Sequence, residues 1–190
     1  MLDRPGPSPE QTLRETTEGW ITAFGAALAE RSAAALADLF VADSHWRNLF
    51  GISWLFATFS GNATVVTELL ARAGEARAEK FRIDPGALVP RRAVVAGREV
   101  IEAIFAFDTK NGPGYGALRL LPQPDGDVKA WTISTSLDFD AICAARTAPA
   151  EAGSHKRDFS GPDWLEERQA SARYDGREPD VLIVGGGHAG

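Results

Sequence analysis

Apolar residues recur along this chain with two periods, near 3.6 residues before position 79 and near 2 after it. Trp20, Phe24 and Leu28 fall at i, i+4 and i+8, with Leu13, Thr17 and Ile21 beside them, which predicts an amphipathic helix starting near Glu10. Ser32 is placed to cap a second helix, Ala33 to Phe40, with Leu36, Leu39 and Phe40 inward. Val65, Val66, Leu69 and Leu70 form the apolar face of a third, residues 62–76. Between the second and third helices, Val41 to Phe50 reads as an aromatic-rich connection.

From Glu79 the alternation is that of strands. Phe81 and Ile83 alternate with charges ahead of a Pro85-Gly86 turn, and Arg91 to Ala96 is short. Glu99 to Thr109 is long, with Ile101, Phe105 and Phe107 on one face. Tyr115 to Leu121 and Val128 to Phe139 follow, separated by turn residues. In the last of these Trp131, Ile133 and Leu137 share one face, and Ala130, Thr132, Ser134 and Ser136 the other. Three helices ahead of four to five antiparallel strands make an α+β order.

The division that follows is a loose Pro-rich arm at 1–10, a domain at 11–145, a linker at 146–178 and a new element at 179–190. The linker carries a short helix start after Pro162, with Trp164 and Leu165 as apolar anchors.

The new element is an apolar run, Val181-Leu182-Ile183-Val184, followed by G-x-G-x-x-G at Gly185, Gly187 and Gly190. A dinucleotide-binding unit opens this way. The first glycine makes the tight turn, the second admits the pyrophosphate, and the third lets a helix pack on the strand. A complete unit needs about 30 residues or more, so only a strand and turn of a Rossmann unit are present. A glycine tail after a short edge strand is the competing reading. His188 occupies a variable position of the motif and reads as a passenger.

Composition narrows the function classes. A net charge of −6 favours neither nucleic acid nor an anionic membrane surface as partner. The single cysteine, Cys143, excludes an internal disulfide, suits a reducing cytoplasm and reads as a packing residue. Residues 1–10 lack the apolar core of a signal peptide, and no window approaches the ~20 apolar residues of a membrane span. No His, Cys or carboxylate spacing suggests a metal.

The order of elements resembles the NTF2-like, or SnoaL-like, cone-shaped α+β barrel. The segment Ala42-Asp43-Ser44-His45-Trp46-Arg47-Asn48-Leu49, then Trp54 and Thr58-Phe59-Ser60-Gly61, is similar to a subgroup of that fold joined ahead of a flavin domain. Asp163-Trp164-Leu165-Glu166-Glu167-Arg168 and the terminal glycine motif fit the same flavin-containing monooxygenase-like oxidoreductases. The resemblance implies a parent with FAD at Gly185, Gly187 and Gly190, NADPH as reductant, dioxygen as co-substrate and a small-molecule substrate. It implies no cofactor on these 190 residues alone, and it allows a homodimer. One departure stands out. The position after Arg47, often acidic in similar sequences, is Asn48.

Some members of this fold run acid–base chemistry in a conical cavity. The residues here that could do so are Asp43, His45, Trp46, Arg47 and Trp54. Placed at a helix end and loop start, Asp43 reads first as a cap and His45 as a structural or solvated side chain. Trp46, Trp54 and Phe59 read as core or pocket wall. Thr132, Ser134 and Ser136 would line a polar cavity or face solvent. Arg91-Arg92 is too short for a nucleic-acid patch. Two functions remain: an accessory domain of an FAD- and NADPH-dependent monooxygenase, or a stand-alone SnoaL-like isomerase, cyclase, dehydratase or binding protein.

Overall fold

The computed structural model describes residues 8–146 and 164–173. The chain divides into two compact units between Ala148 and Pro149.

In the first unit, helix α1 (Pro9–Ala29) starts on a capping box. Ser8 Oγ accepts from the Gln11 amide, and Gln11 Oε1 accepts from the Ser8 amide at 2.8 Å. Helix α2 (Ala33–Asp38) is capped by Ser32, whose hydroxyl accepts from Ala35 N. It ends short of Phe40 because Phe40 opens a strand. Strand β1 (Phe40–Leu49) replaces the expected connection. Its alternation is hidden in the sequence because two of its four buried positions, Ser44 and Asn48, are polar. Strand β2 (Phe56–Ser60) pairs with it, and helix α3 (Asn62–Ala76) follows with the expected bounds.

The remaining strands are β3 (Glu79–Ile83), β4 (Arg91–Val95), β5 (Arg98–Thr109), β6 (Gly112–Pro122) and β7 (Val128–Leu137). The last strand stops two residues before the expected Phe139. Asp138 accepts from Ala141 N and caps helix α4 (Phe139–Arg146). Cys143, expected to pack, is exposed on α4.

The sheet runs β2-β1-β7-β6-β5-β3, with β4 on the other half of the same β5 edge. All pairings are antiparallel except β1 with β7, which is parallel. Helices α1, α2 and α3 pack on one face of this curved, unclosed sheet, the α+β arrangement that the resemblance implies. Its buried layer is aromatic. Trp20 stacks on Phe24, and both meet Phe40 edge-on. Phe24 meets Phe81, which continues to Phe105 and Phe107. Trp46 stacks on Phe59 at the other end. The core closes tightly at Gly116, where a Cβ would lie 2.1 Å from the Ser134 carbonyl oxygen and against Phe105.

Alternation in β7 is reset by a register shift against β6 between Arg119 and Leu120. Ala130 and Ile133 therefore both face the core, and Trp131 does not share their face as expected. Thr132, Ser134 and Ser136 are in register with His45, Arg47 and Leu49 on the outer face.

In the second unit, helix α5 (Trp164–Ala172) begins where the Pro162 signal places it. Trp164 and Leu165 are exposed on it, and the Arg168 guanidinium covers the Trp164 ring at 5.1 Å. Trp164 and Leu165 stand side by side at the start of α5 and do not by themselves form a helical stripe. The run Val181–Val184 and Gly185, Gly187 and Gly190 lie outside the described residues. Among the described residues, no helix is long and apolar enough to cross a membrane.

Candidate functional site

The strand character of β1 separates the candidate residues. Side chains alternate along a strand, so Trp46 points into the core while His45 and Arg47 point out. Asp43 and Trp54 stand apart from all three.

Inside, Trp46 is fully buried and its Nε1–H donates to Thr135 Oγ1 at 3.0 Å. Thr135 donates in turn to Asn48 Oδ1 at 3.1 Å, which also accepts from Ile52 N at 3.0 Å. The Asn48 amide donates to the carbonyls of Ser53 and Leu55 and reaches Ser53 Oγ at 3.0 Å. This buried network ties residues 50–55 to β1. Phe50, at φ 63°, holds a left-handed backbone uncommon for an aromatic residue. Beyond it, Trp54 and Phe56 stand 63% and 61% exposed. Trp54 is thus not a core residue.

The buried polar residues among those described are Thr17, Ser44, Asn48 and Thr135, none of which titrates near neutral pH. Aromatic rings fill the layer between the helices and the sheet.

On the outer face, His45 Nδ1 and Ser60 Oγ are 2.8 Å apart, a pair made by direct cross-strand register. Arg47 donates to Thr58 Oγ1 at 2.9 Å and lies 4.7 Å from the Phe56 ring centre. Asp43 sits where the β1–β7 register shifts, and it pairs with Arg98 at 2.9 Å. Arg98 in turn covers Trp131. Asp43 is therefore a surface ion-pair partner in a strand bulge, not a helix cap, and it belongs to a different cluster from His45.

A second outer-face feature was not expected from the sequence. Leu88 and Val89, ahead of β4, border with Ile104 of β5 and Ala117 of β6 a half-open recess of about 230 Å³. Its rim is Arg91, Glu102 and Arg119. Glu102 lies opposite both arginines in the two strand registers. It accepts from Arg119 Nε at 2.9 Å and from Arg91 Nη2 at 3.2 Å. The alternation of β4, β5 and β6 was legible, but only the register brings these three charges together.

The hydrogen bond from Arg119 is the main cause that holds the Glu102 carboxyl below its ordinary 4.5; partial burial opposes it and Arg91 adds to it. A carboxyl that binds its proton less tightly folded than unfolded stabilises the fold above the ordinary carboxylate range. That contribution is lost as pH falls through the lowered value. The gap in urea midpoint between the native chain and Glu102→Gln should therefore be widest near pH 7 and narrow progressively as pH falls below the ordinary carboxylate range. A gap constant from pH 7 to pH 3 would show that the charge on Glu102 is irrelevant to folding.

Among the described residues, no group of three or more His, Cys, Asp or Glu could hold a metal ion.

No protein-family model matches the chain, and no curated protein matches it. Solved structures do resemble it. One is an NTF2-like protein with a cystatin-like fold from Novosphingobium aromaticivorans, 18% identical, covering 72% of this chain and 88% of its own, at TM-score 0.48. A nuclear transport factor 2 (NTF2-like) superfamily protein from Salmonella enterica is 12% identical, with 66% and 90% covered, at TM-score 0.47. A putative dehydratase from the NTF2-like family of Streptomyces avermitilis is 14% identical, with 68% and 98% covered, at TM-score 0.48.

Proposed function

We propose that residues 9–146 are a small-molecule-binding domain of the NTF2-like, SnoaL-like kind, which takes its ligand on the outer face of the sheet. The observation that carries this is the filled interior. Trp20, Phe24, Phe40, Trp46, Phe105 and Phe107 are all buried where a substrate cone would lie, with no acid or base among them. The outer face, by contrast, keeps an apolar recess with a charged rim. Isomerase or dehydratase chemistry needs a proton donor or acceptor tuned to its task; the carboxylate at the recess, Glu102, is engaged by two arginines that make it a weaker base, so this reading assigns binding and not turnover.

A fragment screen by two-dimensional NMR on the full chain tests it, because the indole N–H groups of Trp20, Trp46, Trp54, Trp131 and Trp164 report separate places. Fragments should shift amides around Glu102, Ala117 and Arg119 and leave the Trp20 and Trp46 indoles unmoved. Saturable shifts at Trp20 and Trp46 would place the ligand inside the cone and overturn the reading.

A second reading makes the domain accessory to an FAD- and NADPH-dependent monooxygenase, packing on its flavin domain. The apolar run before Gly185, Gly187 and Gly190 favours it, since that is the context in which such glycines hold a pyrophosphate. Under this reading the coding frame would continue through a helix and an acidic-ended strand, and the longer product would carry FAD.

A further inference from the structure

We propose that the recess between the β3–β4 connection and the β5–β6 hairpin binds a small monocarboxylate with an apolar body. The carboxylate would lie between Arg91 and Arg119, and the body would lie on Ile104, Ala117, Leu88 and Val89. This rests on the outer face being the working face.

The charge balance points to an anion. Arg91 and Arg119 face one carboxylate, Glu102, so the rim carries one uncompensated positive charge. Each guanidinium has five N–H donors, and each has one ion-pair contact here, made to Glu102. Glu102 itself is the most covered of the three, its side chain 22% exposed against 62% for Arg91 and 42% for Arg119. It holds the two arginines at the rim while their outward N–H groups remain available. A planar carboxylate matches that fork geometry. A single negative charge neutralises the rim, and a dianion would overshoot it.

The floor selects the rest of the ligand. Leu88 and Val89 are 71% and 62% exposed, an unusual position for two adjacent aliphatic side chains, and Ile104 lies beneath them. A ligand body lying here would cover all three. The volume of about 230 Å³ is below the roughly 300–1,000 Å³ of drug-sized pockets. It suits on the order of ten non-hydrogen atoms.

Octanoate is a probe of that size, with octan-1-ol and octylammonium as neutral and cationic counterparts. Titration into the full chain, followed by NMR shifts at Ala117 and Arg119, should give a Kd on the order of 0.1 mM for octanoate. Binding of the alcohol should be at least about tenfold weaker, and the amine should not bind. Arg119→Gln and Arg91→Gln should each weaken octanoate by about tenfold. Glu102→Gln should strengthen it several-fold, because the competing carboxylate is gone. Far-UV circular dichroism and urea midpoints establish that each variant is folded, and Arg119→Lys serves if Arg119→Gln is not.

Equal binding of octanoate and octan-1-ol at the recess would overturn the carboxylate assignment while leaving outer-face binding in place. So would unchanged affinity in Arg119→Gln. Shifts confined to Trp20 and Trp46 would instead overturn the outer-face reading itself. A concentration-dependent dimer in sedimentation that buries Leu88 and Val89 would assign the recess to a second copy of the chain and overturn the proposal.

Discussion

Replacing Trp46 with Ala should cost about 3–5 kcal/mol of folding stability, the cost of deleting a large buried aromatic. The ring has no exposed surface, stacks on Phe59 with centroids 5.0 Å apart and donates to Thr135. Since a domain of this size has a total stability of roughly 5–15 kcal/mol, the variant should be close to unfolding at room temperature. Trp46→Phe separates the two contributions. It keeps a stacked ring and loses the indole N–H, so it should be much milder, although the smaller ring leaves part of a cavity. Urea denaturation of both variants measures this. A loss below about 1.5 kcal/mol for Trp46→Ala would mean that the cone is loosely filled and could open for a ligand.

Asn48→Ala should cost about 2–4 kcal/mol, because one deletion strands several partners. The Ser53 carbonyl loses its amide donor, the Leu55 carbonyl is left with Phe50 N, and Ile52 N and the Thr135 hydroxyl lose their acceptor. Its effect should be local as well as global. Amide exchange at Ile52 should quicken more than at Leu118, and the Trp54 emission should change as residues 50–55 loosen. Asn48→Asp is the informative control. It has nearly the same shape and keeps the acceptor for Ile52, but it presents a carboxylate to two carbonyls. It should be at least as damaging as Ala near pH 7. Equal stability of Asn48→Asp and the native chain would refute the donor argument. The departure at Asn48 has its physical explanation here, for the acceptors of the 50–55 loop require an N–H at this position.

Helices were the most legible part of this sequence. The Trp20, Phe24 and Leu28 spacing and the Ser32 cap are local signals, and they located α1 and α2 within a few residues. β1 and β2 were missed for a tertiary reason. Ser44 and Asn48 are polar yet buried, and the place of Asn48 depends on partners near and far in sequence. Asn48, for example, meets Thr135, 87 residues away. The same limit applied to the site. Asp43, His45, Trp46 and Arg47 are neighbours in sequence, yet the pleat and the β1 bulge send them to three different environments. Arg91, Glu102 and Arg119 are distant in sequence and converge only through strand register. The reset of alternation at Trp131 follows from a β6–β7 register shift that no local pattern announces.

The parallel pairing of β1 with β7 sets an order in time. Antiparallel neighbours such as β5 and β6 can zip from their own turn, closing a loop of a few residues. β1 cannot do so, because Phe40 must wait for Ala130 and Leu49 for Ser136. Closing so large a loop carries its entropy cost before any contact repays it. During synthesis at roughly 5–20 residues per second, the Trp46 side of β1 would wait several seconds for its neighbour. Over that interval β2 is its one available sheet partner and α3 its available cover. The β1–β2–α3 segment is thus where a nascent chain is most exposed to pairing with another copy of itself.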